Sequence, residues 1–254
     1  MKKPKAYMVA TAHLDTVWNW TLEETVKEYL RATLDRNFAL IEKYPHYRFN
    51  FEGAYRYDLI REYYPEDFER VKRYVAEGRW CVTGSSWENG DVVTPAPETL
   101  MRNVLYGNRF FEEHFGKKSS DIFLPDCFGF PKTLPSIMRH MGLSAFSSQK
   151  LTWNLGEAGY RLPFDVGIWQ GIDGSEVVAV LDPGPYVTSL TERPSRDREL
   201  YDRISLLPAG KTMRYYGTGD QGGAPDDDSA RLVEEAVTDP DALTETVSDR
   251  KSVV

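Results

Sequence analysis

The chain has 254 residues, of which 41% are hydrophobic and 28% charged. That is too apolar for a disordered chain and ordinary for a soluble globular one. Asp and Glu number 39 against 31 Lys and Arg, a net charge of −8 that argues against a nucleic-acid partner. No run approaches the ~20 apolar residues of a membrane span, and the basic start, Met1-Lys2-Lys3-Pro4-Lys5, lacks a signal-peptide core behind it. A cytoplasmic location is the expectation, and two distant cysteines, Cys81 and Cys127, make no disulfide framework.

Elements follow in order. Ala6–Thr11 reads as a buried strand. Thr21-Leu22-Glu23-Glu24 is a capping box, and Val26, Leu30, Leu34, Phe38 and Ile41 recur behind it at helical spacing until Pro45. Tyr47–Phe51 alternates as a strand, a helical pair runs to about Glu77, and Trp80–Thr83 is a short strand. Pro97 and Glu98 open a helix that Gly116 stops after Phe115. Asp121–Leu124 is apolar and Pro135–Met141 helical. Ala145–Ser148, Val166–Trp169, Val177–Leu181 and Tyr215–Gly217 read as strands, and Ser229–Val237 as a last helix. Strand–helix alternation implies one α/β domain over 1–240 with a largely parallel sheet, whose chemistry sits at the strands' carboxyl ends. After Pro240 the sequence turns polar and patternless. The last six residues, 249–254, can be back-translated into the opening of a common sequencing adapter, so the expectation is that 241–254 is a tail, artefactual from about 249, and that the true protein continues.

Four clusters carry chemistry. In Ala12-His13-Leu14-Asp15-Thr16-Val17-Trp18, residues two apart in extended chain share a side, so His13 and Asp15 aim at one point and Trp18 offers an apolar wall. An imidazole and a carboxylate converging there suit zinc or a similar ion; the plainer reading is a His–Asp pair capping a strand. In Leu124-Pro125-Asp126-Cys127-Phe128-Gly129, Asp126 follows an apolar strand, as ligand, nucleophile or merely a helix N-cap. In Gly217-Thr218-Gly219-Asp220-Gln221-Gly222-Gly223, glycines let backbone approach a ligand beside Asp220, a general acid or a plain turn residue. In Gly84-Ser85-Ser86-Trp87-Glu88-Asn89-Gly90-Asp91, an indole and carboxylates suit a pyranose, or are solvated loop charges. His46, His114 and His140 read as surface or packing residues.

Together, Ala12–Trp18, Trp87 to Glu98, Leu124–Gly129, Gln149-Lys150, Phe164 to Ser175 and Gly217 to Gly223 resemble the catalytic domain of the glycoside hydrolase family 38 α-mannosidases of the bacterial cytosolic sort. The resemblance implies a seven-stranded (β/α) barrel-like fold, incomplete here at its C-terminus, and a retaining, exo-acting, zinc-assisted hydrolysis of terminal α-D-mannosyl residues of oligosaccharides. His13, Asp15 and Asp126 match three zinc ligands, Asp126 also matches the nucleophile, and Asp220 matches the acid/base. Trp18 and Phe128 match walls of the mannose site, which Trp87 and Asp91 extend. A fourth ligand, a downstream histidine, is expected beyond residue 254, since no histidine follows His140. The 254 residues alone are therefore expected to be inactive, and the full-length protein to form a homo-oligomer if any assembly. Two rivals stand beside this reading. A metal-dependent polysaccharide deacetylase would want a His-x-x-x-His pair, which is missing. A non-catalytic sugar-binding module would have lost Asp126 or Asp220.

Overall fold

The computed structural model describes residues 3–152, 164–182 and 184–249. β1 (Lys5–Ala12) pairs in parallel along its whole length with β8 (Lys211–Thr218). Its other edge is shared: the first half pairs with β9 (Glu245–Ser248), and Ala10 and Thr11 pair with β2 (Phe49–Glu52). β2 carries β3 (Trp80–Thr83) on its far side. A second sheet has the order β4 (Asp121–Phe123), β5 (Ala145–Ser148), β7 (Glu176–Leu181), β6 (Val166–Gln170). Every strand pairing is parallel except β6 with β7, a hairpin, in keeping with the largely parallel sheet expected.

The expected seven-stranded barrel is seen in part. The fold is α/β with curled parallel sheets, but its strands form two hydrogen-bonded sheets rather than one closed ring. The sheets nevertheless share an inner face: Val9 of β1, Phe123 of β4, Val180 of β7 and Met213 and Tyr215 of β8 form one buried cluster. Because side chains alternate along a strand, Ala6, Met8, Ala10 and Ala12 of β1 face outward, onto the helices.

Where the sheets part, buried carboxylates replace the missing backbone ladder. At the β7–β8 seam Asp182 accepts from Tyr215 N (2.7 Å), Gly184 N (2.8 Å) and Arg214 Nη1 (2.9 Å). At the β3–β4 seam Gly84 N donates to Asp121 Oδ1 (3.3 Å), and Ser85 Oγ donates to Asp121 O (2.7 Å). Both carboxylates are buried.

The helices cover the outside. The capping box at Thr21 forms as expected and opens α1 (Leu22–Glu24), a π segment (Thr25–Leu30) and α2 (Arg31–Lys43) as one continuous run. Val26, Leu30, Leu34 and Phe38 are four apart and all buried. Each such step overshoots the about 3.6-residue α turn, and the wider π turn takes up part of the drift. α3 (Ala54–Tyr63), α4 (Pro65–Ala76), α5 (Pro97–Phe115), α6 (Leu134–His140) and α8 (Asp227–Val237) lie where the periodicity places helices. Two elements escaped that reading. α7 (Arg198–Leu206) buries only Leu200 and Ile204, too little for an apolar stripe. β9 lies in the stretch past Pro240 read as patternless, because its inward residues, Thr246 and Ser248, are small hydroxyls. Of the six residues assigned to adapter, all but Asp249 lie outside the described residues.

α5 crosses the loop after β3 at Gly107. Trp87 N donates to Asn103 O (2.9 Å), and a Cβ at 107 would drive into the backbone of Ser85, Ser86 and Trp87. We expect Gly107→Ala to cost about 3 kcal/mol, the upper end for overpacking, because backbone rather than a flexible side chain must give way. Urea unfolding checks this; an unchanged midpoint would mean that the crossing is looser than drawn. Among the described residues no helix is long and apolar enough to cross a membrane.

Candidate active site

β1, β4 and β8 end at the same rim. His13 N donates to Thr218 O (3.1 Å), Asp15 N to Asp220 O (2.8 Å) and Gly222 N to His13 O (3.0 Å), so the segments leaving β1 and β8 are laced together. Arg56 of α3 reinforces this from below. It is buried, and its Nε donates to Leu14 O (2.7 Å) between the two candidate ligands. Its Nη1 lies 2.8 Å from Glu88 Oε1. The backbone of His13-Leu14-Asp15 is thus fixed before any ligand arrives.

His13, Asp15 and Asp126 each turn one ligand atom to a common point, all within 4.8 Å of one another. His13 is 3% exposed. Its Nδ1 lies 2.8 Å from Glu52 Oε1, and its Nε2, 3.3 Å from Asp15 Oδ1, is buried without a hydrogen-bond partner among the described residues. A buried nitrogen left unsatisfied beside two carboxylates is what a divalent cation would complete, and one imidazole with two carboxylate oxygens is a donor set that zinc accepts. The residues present therefore fit a metal. The electrostatics agree. Burial opposes charge on His13, but the neighbouring carboxylates of Asp15 and Glu52 outweigh it and lift the imidazole to about 9, so the spot favours a positive charge.

Asp126 does not cap the following helix. α6 starts at Leu134 with Thr133 before it, and Asp126 pairs instead with Lys150 Nζ. Lys150 also sits 4.1 Å from the ring centre of Phe128, whose side chain is 88% exposed. Trp18 is likewise exposed, edge-on to Trp20 at 5.7 Å. Both aromatics, Trp18 and Phe128, lie open to solvent on the segments that follow β1 and β4.

Asp220 adopts a left-handed conformation (φ +59°), uncommon for a residue with a Cβ and a mark of functional turns. Its Oδ1 accepts from Tyr186 Oη (3.0 Å). Tyr186 stands edge-on to His13 at 5.5 Å, and burial together with Asp126, Asp220 and Asp15 pushes its phenol well above the ordinary value. The ring can lie there because residue 219 is glycine: a Cβ on Gly219 would collide with Tyr186.

The other two expected substrate residues are placed differently. Asp91 folds into its own turn, accepting from Val93 N (2.6 Å) and Thr94 Oγ1 (2.6 Å). It stays near the Asp126 loop, for Cys127 donates to Gly90 O, and burial with the charges of Asp91 and Asp126 pushes that thiol up to about 12. Trp87 packs between Tyr55 and Phe110 and lines an outer concavity with Tyr106, Arg109 and Glu113. The sequence reading gave no role to Glu52, Arg56 or Tyr186. Glu52 and Arg56 look like ordinary members of a strand and a helix. Tyr186 had one signal, an aromatic in a Pro- and Gly-rich loop just after a strand.

Comparison with known proteins agrees with the geometry. Residues 3–249 match the model of the glycosyl hydrolases family 38 N-terminal domain. Alpha-mannosidase G of Dictyostelium discoideum is 35% identical over 87% of this chain, and Alpha-mannosidase of Saccharomyces cerevisiae 31% over 86%. The chain spans only 20% of the length of each. The crystal structure of an alpha-mannosidase from Enterococcus faecalis V583 superimposes on 98% of this chain and 28% of its own, with TM-score 0.73 and 20% identity, a likeness of fold. With the model of the family's N-terminal domain covering nearly its whole length, the chain belongs to the glycosyl hydrolases of family 38.

Proposed function

We propose that this domain carries the catalytic site of an α-mannosidase that cleaves terminal α-D-mannosyl residues with retention of configuration. The observation that carries the reading is the convergence of His13, Asp15 and Asp126, with His13 Nε2 buried and unpartnered. The curated relatives named alpha-mannosidase support the substrate class. Seven of the eight parallel strands, β1, β2, β3, β4, β5, β7 and β8, would act as one barrel-like frame, open at the two seams, that aims these residues at one rim.

His13, Asp15 and Asp126 would hold one zinc ion, and a histidine from beyond this chain would complete its shell. Bound there, zinc supplies a Lewis acid that grips sugar hydroxyls and favours a distorted ring. Asp126 attacks the anomeric carbon while Asp220 protonates the departing oxygen; water then releases the sugar, with Asp220 as base. Lys150 pairs with Asp126 and keeps it oriented until the sugar arrives. Tyr186 orients the Asp220 carboxyl. Trp18 and Phe128 flank the sugar, with Asp91 and Trp87 further out.

The test is hydrolysis of an aryl α-mannoside by the complete gene product. Release of the phenol should fall at least about 10-fold after chelation and return with zinc, as the loss of a catalytic metal requires. Turnover indifferent to chelation, or confined to deacetylation of an acetylated sugar, would overturn the proposal.

A further inference from the structure

Glu52 plays no part in the chemistry above, yet it is fully buried at the end of β2. A carboxylate taken out of water is expensive unless something repays it. β2 pairs with β1 in the register Thr11↔Asn50. Carried two residues onward, that register sets His13 abreast of Glu52, and both side chains fall on one side of the sheet. Glu52 Oε1 then lies 2.8 Å from His13 Nδ1, and Asn89 Nδ2 donates to the same oxygen at 3.2 Å.

A carboxylate oxygen accepts, so the 2.8 Å contact makes Nδ1 the ring nitrogen that donates to Glu52. Nε2 is then the ring nitrogen left to ligate, and it is turned toward Asp15 and Asp126. Metal-binding histidines are commonly held by such a carboxylate on the far ring nitrogen, which fixes both tautomer and ring angle.

We propose that Glu52 is a positioning residue for the metal centre: through His13 Nδ1 it sets the tautomer and orientation that present Nε2 to a divalent cation. This deepens the metal reading above and rests on it. Asn89 in turn steadies Glu52, so the chain of contacts runs from Asn89 through Glu52 and His13 to the ion.

The test uses the complete gene product and zinc alone, with affinity measured by competition against a chromogenic chelator. Glu52→Gln keeps the volume and one acceptor but removes the charge. Its zinc affinity should fall on the order of 10-fold, while its melting temperature without metal stays close to the parent's. Nitrogen-15 NMR of the His13 ring in the zinc-loaded parent should show Nδ1 protonated and Nε2 ligating, a signature that a merely structural carboxylate would not set. If the parent binds zinc and Glu52→Gln binds equally well, the role of Glu52 is refuted and the metal site stands. A ring bound through Nδ1 would refute it too. If the parent and Asp126→Ala are alike in failing to bind zinc, the metal reading itself falls, and this inference with it.

Discussion

Replacing Asp126 by alanine should abolish hydrolysis of α-mannosides by the complete gene product, with a loss in kcat of at least about ten-thousand-fold, as when other covalent nucleophiles are removed. Two losses coincide in this variant. The attacking oxygen is gone, and so is one of three atoms that converge within 4.8 Å. Added azide separates them. It fits the space vacated by the carboxylate and would attack from the same face, so a zinc-loaded variant should regain turnover and yield the β-mannosyl azide. Asp220→Ala should behave differently. Its first step survives on substrates with a good leaving group, and azide should then give the α anomer. If azide gives the same anomer from both variants, the two roles are wrongly assigned.

The second large effect concerns the frame. We expect Asp182→Ala to destabilise the domain by about 3–5 kcal/mol, the cost of breaking a buried ion pair from one side. Asp182 is fully buried and holds Arg214 Nη1 at 2.9 Å and the amides of Tyr215 and Gly184 at 2.7 and 2.8 Å. Burial pushes its pKa up, and Arg214 and those amides pull it back. Truncation removes the acceptor and strands all three donors at a seam where β7 and β8 share no backbone ladder. Asp182→Asn should cost less, since one acceptor oxygen survives. Urea unfolding measures both; equal and small losses would mean that the inner apolar cluster alone holds the seam.

Both effects trace to residues that read very differently in the sequence. Asp126 could be singled out because it closely follows an apolar strand, just before Cys127-Phe128-Gly129, and because His13-x-Asp15 and the Asp220 glycine turn occur with it in one order. Helix positions were legible from caps and stripes: Thr21 with Glu24, and Pro97 to Gly116, fall where the structure puts them. Asp182 and Glu52 were not. A buried charge looks like a surface charge until its partner is known, and Arg214 lies 32 residues from Asp182, His13 39 residues from Glu52. The antiparallel sense of β6 was hidden because direction leaves no trace in an apolar run. β9 was hidden because its buried face is built of hydroxyls.

The account turns on Asp126 as the atom that bonds to sugar. The most direct measurement incubates the complete, zinc-loaded gene product with a fluorinated α-mannosyl fluoride, which forms the glycosyl-enzyme faster than water releases it, and maps the adduct by mass spectrometry. A single mannosyl adduct on the peptide bearing Asp126, absent from Asp126→Ala, is the predicted result. An adduct on Asp220 or on any other carboxylate would contradict the site.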